Sequence, residues 1–320
     1  MTRVLDLADK INYRQQMSVT EPLAGNIFAI KRYALHDGPD LRVTIFFKGC
    51  PLSCLWCHNP EGLNFGKEIL TQVDRCVGCG ACQASCPTGA LSQGPHWRDH
   101  VRCTVCGICA QVCPALAHEC IGQTLTVGQA MAEIAKEAPF FEGTSGGVTF
   151  SGGEPLAQPD FLLALLRACG QRGWHRAVDT SAWASWEIFQ KILKVTDLFL
   201  FDLKHMDACE HKKLTGVDNV IILDNARRLA HSGAKIYFRM PLIPGLNDQS
   251  TNLEHTAEFI LSLPIAPSID LLPYHGTAKN KYMKLGRDYP GENLHTADHK
   301  AISQAAALFQ RRGLTVRIGG

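Results

Sequence analysis

Apolar residues along the chain follow two rhythms that take turns. Asn26 to Tyr33 alternates apolar and polar positions, the period-two pattern of a half-buried strand. Leu41 to Phe47 is a run of β-branched and aromatic residues and reads as a buried strand. Val127, Ala130, Met131 and Ile134 then recur at helical spacing, which predicts an amphipathic helix over 126–138, with Met131 as core packing. Strand patterns follow at Val148 to Ser151, Ala177 to Thr180, Leu198 to Leu203, Lys235 to Met240, Ser268 to Pro273 and Leu314 to Ile318. Helical patterns separate them at Phe161 to Cys169, Trp186 to Leu193, 221–232, 250–262 and Ile302 to Phe309. Repeated β-then-α units argue for a parallel sheet. Polar groups collect at the strand ends: Asp179-Thr180-Ser181, Asp202-Leu203-Lys204, Arg239 before Pro241, and Tyr274-His275. A barrel or part-barrel builds its site from strand C-termini in this way.

One stretch breaks the rhythm. Cys76, Cys79, Cys82 and Cys86-Pro87 form C-x2-C-x2-C-x3-C-P, and the same spacing returns at Cys103, Cys106, Cys109 and Cys113-Pro114. Each copy matches the bacterial ferredoxin run, in which the fourth cysteine ligates the other cluster. One [4Fe–4S] cluster would take Cys76, Cys79, Cys82 and Cys113, and the other Cys103, Cys106, Cys109 and Cys86. Zinc ribbons use paired C-x2-C knuckles instead. Both clusters are then coordinatively closed, which suits electron relay. The expected organisation is an N-terminal extension at 1–24, a main α/β unit at 25–67 and 121–320, and a small insert at 68–120.

A third cysteine group lies directly after the Leu41 to Phe47 strand: Cys50, Cys54 and Cys57, spaced C-x3-C-x2-C, with Trp56 inside and His58-Asn59-Pro60 after. Three thiolates on one tight loop hold three irons of a cube and leave the fourth open for chemistry. Further on, Ser151-Gly152-Gly153-Glu154-Pro155 places two glycines and a carboxylate at a strand end. The glycines let a ligand lie on bare backbone, and the carboxylate is suited to an ammonium group.

The chain has 320 residues, 46% of them hydrophobic, enough for a sizeable core. Its net charge of +2 comes without long runs of one sign, which argues against a nucleic-acid groove or an anionic membrane surface. No apolar run is long enough to span a membrane. Met1 to Tyr13 carries charges every few residues and lacks the apolar core of a signal peptide. Fourteen cysteines in such a chain imply a reducing interior with metal clusters rather than disulfides, and the expected setting is cytoplasmic and anaerobic. Cys120, Cys169 and Cys209 lack ligand spacing and read as buried structural thiols.

Taken together, these motifs resemble the radical S-adenosylmethionine superfamily and, within it, the glycyl-radical enzyme activating enzymes with a ferredoxin-like insert. The resemblance covers about residues 25–320 and includes Asp37-Gly38-Pro39. It implies a partial (β/α)6 TIM-like barrel carrying an inserted domain with two [4Fe–4S] clusters. It implies a third [4Fe–4S] cluster on Cys50, Cys54 and Cys57, whose open iron chelates S-adenosylmethionine. Gly152, Gly153 and Glu154 would bind the methionyl amino end and Lys204 the carboxylate. Trp56, Cys57 and His58 would flank the adenosyl part, with Asp179, Asp202, Leu203, Arg239 and His275 around the ribose and carboxylate. Some relatives hold a monovalent cation near the positions of Asp179, Thr180 and Asp202. The implied reaction cleaves S-adenosylmethionine reductively and takes an α-hydrogen from a glycine of a partner glycyl-radical enzyme, an eliminase-type partner being favoured. Flavodoxin or ferredoxin would supply electrons.

Two positions depart from the family pattern, Asp40 and Ala182, where glycine is usual. Two other functions compete. One is a radical enzyme acting on a small molecule or on a protein cysteine or serine; the sulfatase-maturing enzymes of the latter kind carry their extra cluster cysteines in a C-terminal extension, and no cysteine follows Cys209. A non-catalytic electron-transfer subunit would not need the three-cysteine loop.

Overall fold

The computed structural model describes residues 22–91 and 98–319. Most of the expected N-terminal extension and residues 92–97 of the insert lie outside these described residues. The strands are β1 (Ala24–Ala34), β2 (Arg42–Phe47), β3 (Glu68–Thr71), β4 (His118–Ile121), β5 (Gln123–Thr126), β6 (Gly147–Gly152), β7 (His175–Thr180), β8 (Leu198–Asp202), β9 (Ile236–Leu242), β10 (Ser268–Pro273) and β11 (Thr315–Ile318). Nine of them form one sheet in the order β11-β10-β9-β8-β7-β6-β2-β1-β5. From β2 through β11 the neighbours run parallel. β1 is antiparallel to both β2 and β5. The fold is therefore α/β with a largely parallel sheet, consistent with a partial barrel.

Alternation along the strands sorts core from site. Phe199 and Phe201 of β8 join the main core, which includes Phe161, Leu165 and Leu166 from the helix Pro159–Gln171. Leu198 and Leu200 face the other way and pack with Ala177 and Tyr237. Side chains two apart on a strand share a face. Asp202 therefore continues the line of Leu198 and Leu200, Asp179 that of Ala177, and Arg239 that of Tyr237. Register pairs Asp202 with Arg239 directly. The interior apolar layer thus ends, at the strand C-termini, in two acids and an arginine.

Two helices had no apolar stripe to announce them. Ala208–Thr215 is mostly polar and is fixed by its ends: Asp207 accepts from the Glu210 amide, and Gly216 closes it in the left-handed region. Ala278–Lys284 carries three lysines and buries Ala278 and Tyr282. β5, paired to β1, is likewise an antiparallel edge that βα periodicity does not foresee.

Between β2 and β6 the chain leaves the sheet. β3 and β4 form a separate antiparallel pair. They enclose two four-residue helices, Ala81–Ala84 and Ile108–Gln111, each N-capped by a left-handed glycine, Gly80 at φ 74° and Gly107 at φ 81°. The sequence repeat is thus a structural repeat as well.

Asp40 and Ala182 keep the backbone that glycine would adopt, with φ of 54° and 60°. That region costs a side-chain-bearing residue about 1–2 kcal/mol. Local bonds hold both in place. The Ser145 amide donates to Asp40 Oδ2 at 2.7 Å. The Asn225 amide group donates to the carbonyls of Ala182 at 3.0 Å and Ala184 at 2.8 Å.

Candidate active site

At the C-terminal ends of β2 and β6 to β10 lies a cavity of about 260 Å³. Cys50, Cys54, Cys57, Trp56 and His58 line it together with Gly152, Gly153, Asp179, Asp202, Lys204 and Arg239. The cysteine loop that forms its roof is held by backbone bonds at both its base and its middle. The Gly49 and Cys50 amides donate to the carbonyls of Gly62 at 2.8 Å and Leu63 at 3.2 Å, where the loop leaves. The Ser53 and Leu55 amides donate to Thr215 and Leu214 at 2.8 and 3.0 Å, at the end of the Ala208–Thr215 helix. Trp56 anchors the loop in a small core with Leu214, Ile243 and Tyr274.

Burial pushes the Cys54 thiol up to about 12, although the nearby Lys204 ammonium favours its thiolate. Cys50 and Cys57 are raised as well, burial again the first cause. For Cys57 the Lys204 ammonium and a hydrogen bond from Tyr282 act in the opposite direction. Three half-buried thiols close together on one loop ionise together only against strong positive charge. That donor set fits an iron–sulfur cube, which binds thiolates and supplies the charge.

The glycines of the Gly152-Gly153 turn are required by the protein itself. Gly152 sits at φ 111°, and a Cβ there would meet the Phe47 backbone. A Cβ on Gly153 would meet the carbonyl oxygens of Gly49 and Gly62. The Gly153 and Glu154 amides donate to Phe47 and Gly49 carbonyls, both at 2.8 Å. The turn is thus stitched to the base of the cysteine loop. Gly153→Ala is expected to cost about 1–3 kcal/mol by overpacking against backbone and to displace the loop. A melting temperature equal to the parent's would show that this contact gives way easily.

The Glu154 side chain does not face the cavity. It is buried to 1% exposure, and its oxygens accept from Thr180 Oγ1 at 2.7 Å, the Leu156 amide at 3.1 Å, the Ser181 amide at 2.8 Å and Ser181 Oγ at 2.6 Å. Burial lifts the carboxyl above its ordinary range, and the hydrogen bonds pull it down. The two amides can only donate, and an ionised carboxylate accepts from them and from both hydroxyls at once. The expected ammonium contact is therefore taken up internally, tying the end of β6 to the end of β7. Leu203 also stays out of the cavity, because alternation turns it into the main core. His275 is exposed, and its neighbour Tyr274 lines the cavity instead. The Tyr274 ring lies 5.8 Å from that of His58.

Charges on the cavity floor are paired. Lys204 Nζ donates to Asp202 Oδ2 at 2.7 Å. Burial opposes the Lys204 charge, but Asp202 and the Cys54 sulfur outweigh it and hold its pKa above the ordinary lysine value. Asp179 Oδ2 accepts from Ser151 Oγ at 2.7 Å, and Arg239 Nη1 stands 3.2 Å from Asp179 Oδ1. That last contact has ion-pair distance without hydrogen-bond alignment: Arg239 Nε and Nη1 are buried with no hydrogen-bond partner. Buried donors of that kind suit a bound acceptor. Sequence reasoning missed Leu52, Leu63, Ile243 and Leu272 of the lining. They are ordinary apolar residues, distinguished only by where the loops carry them.

The insert cysteines fall into two groups. Cys86, Cys103, Cys106 and Cys109 line one small cavity with Ile69 and Arg98. Cys82 lies in the electrostatic reach of Cys113 and Cys76. The last cysteine of each run is receptive as a thiolate: burial raises Cys86 and Cys113, yet the Thr88 hydroxyl with backbone amides at Cys86, and backbone amides alone at Cys113, outweigh it and lower both. The Ala117 amide donates to Cys113 Sγ at 3.2 Å. Cys169 is buried, with its sulfur 3.7 Å from Met131 Sδ. Cys120 and Cys209, expected to be buried, are exposed.

Comparison with known proteins agrees with this geometry. The radical SAM superfamily model matches residues 100–260, and the 4Fe-4S binding domain model matches 71–92. The first match begins beyond the Cys50 to Cys57 loop, since the insert separates that loop from β6. Curated relatives span the interruption. The chain is 42% identical to the trans-4-hydroxy-L-proline dehydratase activating enzyme of Clostridioides difficile, over 92% of this chain and 99% of that one. It is 39% identical to the choline trimethylamine-lyase activating enzyme of Oleidesulfovibrio alaskensis, over 91% and 97%. It is 40% identical to the benzylsuccinate synthase activating enzyme of Thauera aromatica, over 92% of each. A radical SAM methyltransferase from Sphaerobacter thermophilus shares the fold, with a TM-score of 0.50 at 15% identity over 98% of this chain and 82% of that one. The chain belongs to the radical SAM superfamily and, within it, to the glycyl-radical enzyme activating enzymes.

Proposed function

We propose that this protein installs a glycyl radical on a partner enzyme of the eliminase type, using S-adenosylmethionine bound in the cavity beneath Cys50, Cys54 and Cys57. The observation that carries the reading is the convergence of that loop, the Gly152-Gly153 turn and the Asp179, Asp202, Lys204 and Arg239 charges on one cavity. A [4Fe–4S] cluster on the three cysteines, when bound, supplies one electron to the sulfonium, so that the C–S bond breaks to methionine and a 5′-deoxyadenosyl radical, which takes the glycine α-hydrogen.

The chain's own residues bind and orient. The Gly152-Gly153 backbone, rather than the Glu154 carboxylate, presents acceptors to the methionyl ammonium. Lys204 meets the methionyl carboxylate as a point charge, with Asp202 keeping it protonated and in place. Arg239, which lines the cavity, offers its guanidinium to acceptors of the ribose and carboxylate region. Trp56, Cys57 and His58 flank the adenosyl part, with Tyr274 taking the position expected of His275. Cavity walls of Leu52, Leu63, Ile243 and Leu272 keep water from the reacting centre. A monovalent cation is left out: Arg239 and Lys204 already neutralise Asp179 and Asp202.

The insert at 68–120 would hold two further [4Fe–4S] clusters, one on Cys76, Cys79, Cys82 and Cys113, the other on Cys103, Cys106, Cys109 and Cys86. The shared cavity of the second set and the proximity of Cys82 to Cys76 and Cys113 support that crossed ligation. A flavodoxin or ferredoxin in a reducing, anaerobic cytoplasm would serve as donor. Among the described residues no helix is long and apolar enough to cross a membrane. Relatives named for a dehydratase and for a lyase support an eliminase partner.

The test is direct. Anaerobically reconstituted protein, given dithionite and S-adenosylmethionine, is expected to form 5′-deoxyadenosine. Adding an eliminase-type glycyl-radical enzyme should yield the doublet electron paramagnetic resonance signal of a glycyl radical. Deoxyadenosine with no such signal from any eliminase would redirect the proposal to another substrate. No deoxyadenosine, with or without partner, would end it.

A further inference from the structure

The two cysteine sets of the insert are not equivalent in position, and the β3–β4 hairpin shows why. Successive strand residues face opposite sides, and directly paired residues share a side. Pairing is Glu68 with Ile121, Ile69 with Cys120 and Leu70 with Glu119. One face therefore carries Ile69 and Cys120. Ile69 lines the cavity of Cys86, Cys103, Cys106 and Cys109. Cys120 lies beside Gly107, 4.0 Å from where a Cβ would stand on it.

The other face carries Glu68, Leu70 and Ile121, and it rests on the main unit. Leu70 and Ile121 pack with Leu285. Glu68 receives the ammonium of Lys48 at 2.9 Å and the guanidinium of Arg287. Lys48 is fully buried, two residues before Cys50, and also donates to the Glu61 carbonyl at 2.6 Å at the exit of the same loop. Gly122, the residue after β4, is pressed so close that a Cβ there would stand 2.6 Å from Lys48 Cδ. Both strands of the hairpin are thus fixed to the stem of the Cys50 to Cys57 loop.

A second contact reinforces the first on the same side. Arg98 donates to the Ile69 carbonyl at 2.8 Å and lines the second set's cavity. His100, two residues on, sits against Gly286. The first set also meets this strand pair, through Cys82, which packs with Ile69, and Cys113, whose sulfur accepts from the Ala117 amide at 3.2 Å, but its turn opens to solvent, with Val77 70% exposed and Cys79 exposed. Cys106 is exposed too, but it lies at the rim of a cavity backed by the hairpin.

We infer that the Cys86/Cys103/Cys106/Cys109 cluster is the proximal relay, one hairpin layer from the S-adenosylmethionine site, and that Lys48, Glu68 and Arg287 are positioning residues that fix it there. This rests on the proposed function. With clusters bound, electrons from a low-potential one-electron protein would enter at the Cys76/Cys79/Cys82/Cys113 set, pass singly to the proximal set, and from it to the Cys50, Cys54 and Cys57 loop. Each transfer oxidises one cluster and reduces the next, with no bond made or broken.

The test uses the full-length, three-cluster protein reduced under anaerobic conditions. A paramagnetic neighbour speeds the spin relaxation of the cluster on the Cys50 loop, which microwave-power saturation reads. Cys106→Ala is expected to lose that fast relaxation, and Cys79→Ala to retain most of it. The reverse pattern overturns the order. If either alanine variant empties both sets, Cys79→Ser and Cys106→Ser, which keep an oxygen ligand, carry the same comparison through the shift in each cluster's own signal. Arg287→Gln, at the edge of the lock, should slow relaxation and lower flavodoxin- or ferredoxin-driven cleavage several-fold more than dithionite-driven cleavage; an equal loss with both reductants would mean a merely structural role. Absence of dithionite-driven cleavage in the parent protein would strike the proposed function, whereas the wrong relaxation pattern with cleavage intact strikes only the relay.

Discussion

Cys54→Ala is expected to abolish 5′-deoxyadenosine formation, at least to the level of the assay blank, and to lower bound iron by about a third. The two losses have one origin. Cys54 lies in the middle of the three-cysteine loop, it is half-buried at the cavity wall, and Lys204 acts most directly on it among the three. Removing its sulfur leaves two thiols on the roof of the cavity, and no other cysteine lines that cavity to take its place. The insert should keep its iron, because its sulfurs belong to a different structural unit with its own hairpin and two glycine-capped helices. Iron analysis and absorbance of the anaerobically reconstituted variant check this. A variant that binds no iron at all would show the three cysteine groups to be one cooperative assembly.

Much of this arrangement is legible in the sequence because its physics is local. Cysteine spacing records which thiols can reach one cube, and βα periodicity records a parallel sheet whose C-terminal ends collect polar residues. The strands found at β2 and at β6 to β11 lie within about two residues of those the pattern suggests. The rest depends on contacts distant in sequence. Glu154 looks like a ligand for an ammonium group, yet the Thr180 and Ser181 donors that satisfy it come from the next strand. Leu203 shares a motif with Asp202 and Lys204 but is turned inward by alternation. The polar helices at 208–215 and 278–284 are specified by caps and by buried partners, not by an apolar stripe. Asp40 and Ala182, which depart from the family glycines, prove to change the residue without changing the backbone.

Arg239→Met should have the largest effect on stability, and its pH dependence identifies the cause. In the parent protein burial raises the Asp179 pKa, Arg239 opposes that rise, and the Asp202 carboxylate adds to it. Taking away the guanidinium leaves Asp179 beside Asp202 with only Ser151 donating to it. Breaking a buried pair on one side costs about 3 kcal/mol when the remaining charge stays ionised. The folded variant evades part of that cost by keeping a proton on Asp179, so its folded pKa moves further above the unfolded value of about 3.9. A folded state that binds more protons than the unfolded chain loses stability as pH rises. The deficit against the parent should therefore be small near pH 5 and grow toward pH 8, as read from melting temperatures under anaerobic conditions. Asp179→Asn combined with Arg239→Met removes the stranded charge and should recover most of the stability at pH 8. It should not recover affinity for S-adenosylmethionine, because the Arg239 guanidinium that lines the cavity is gone. A double variant that regains both would reduce Arg239 to a counter-ion for Asp179; one that regains neither would mean that the guanidinium holds up the floor of the cavity by packing.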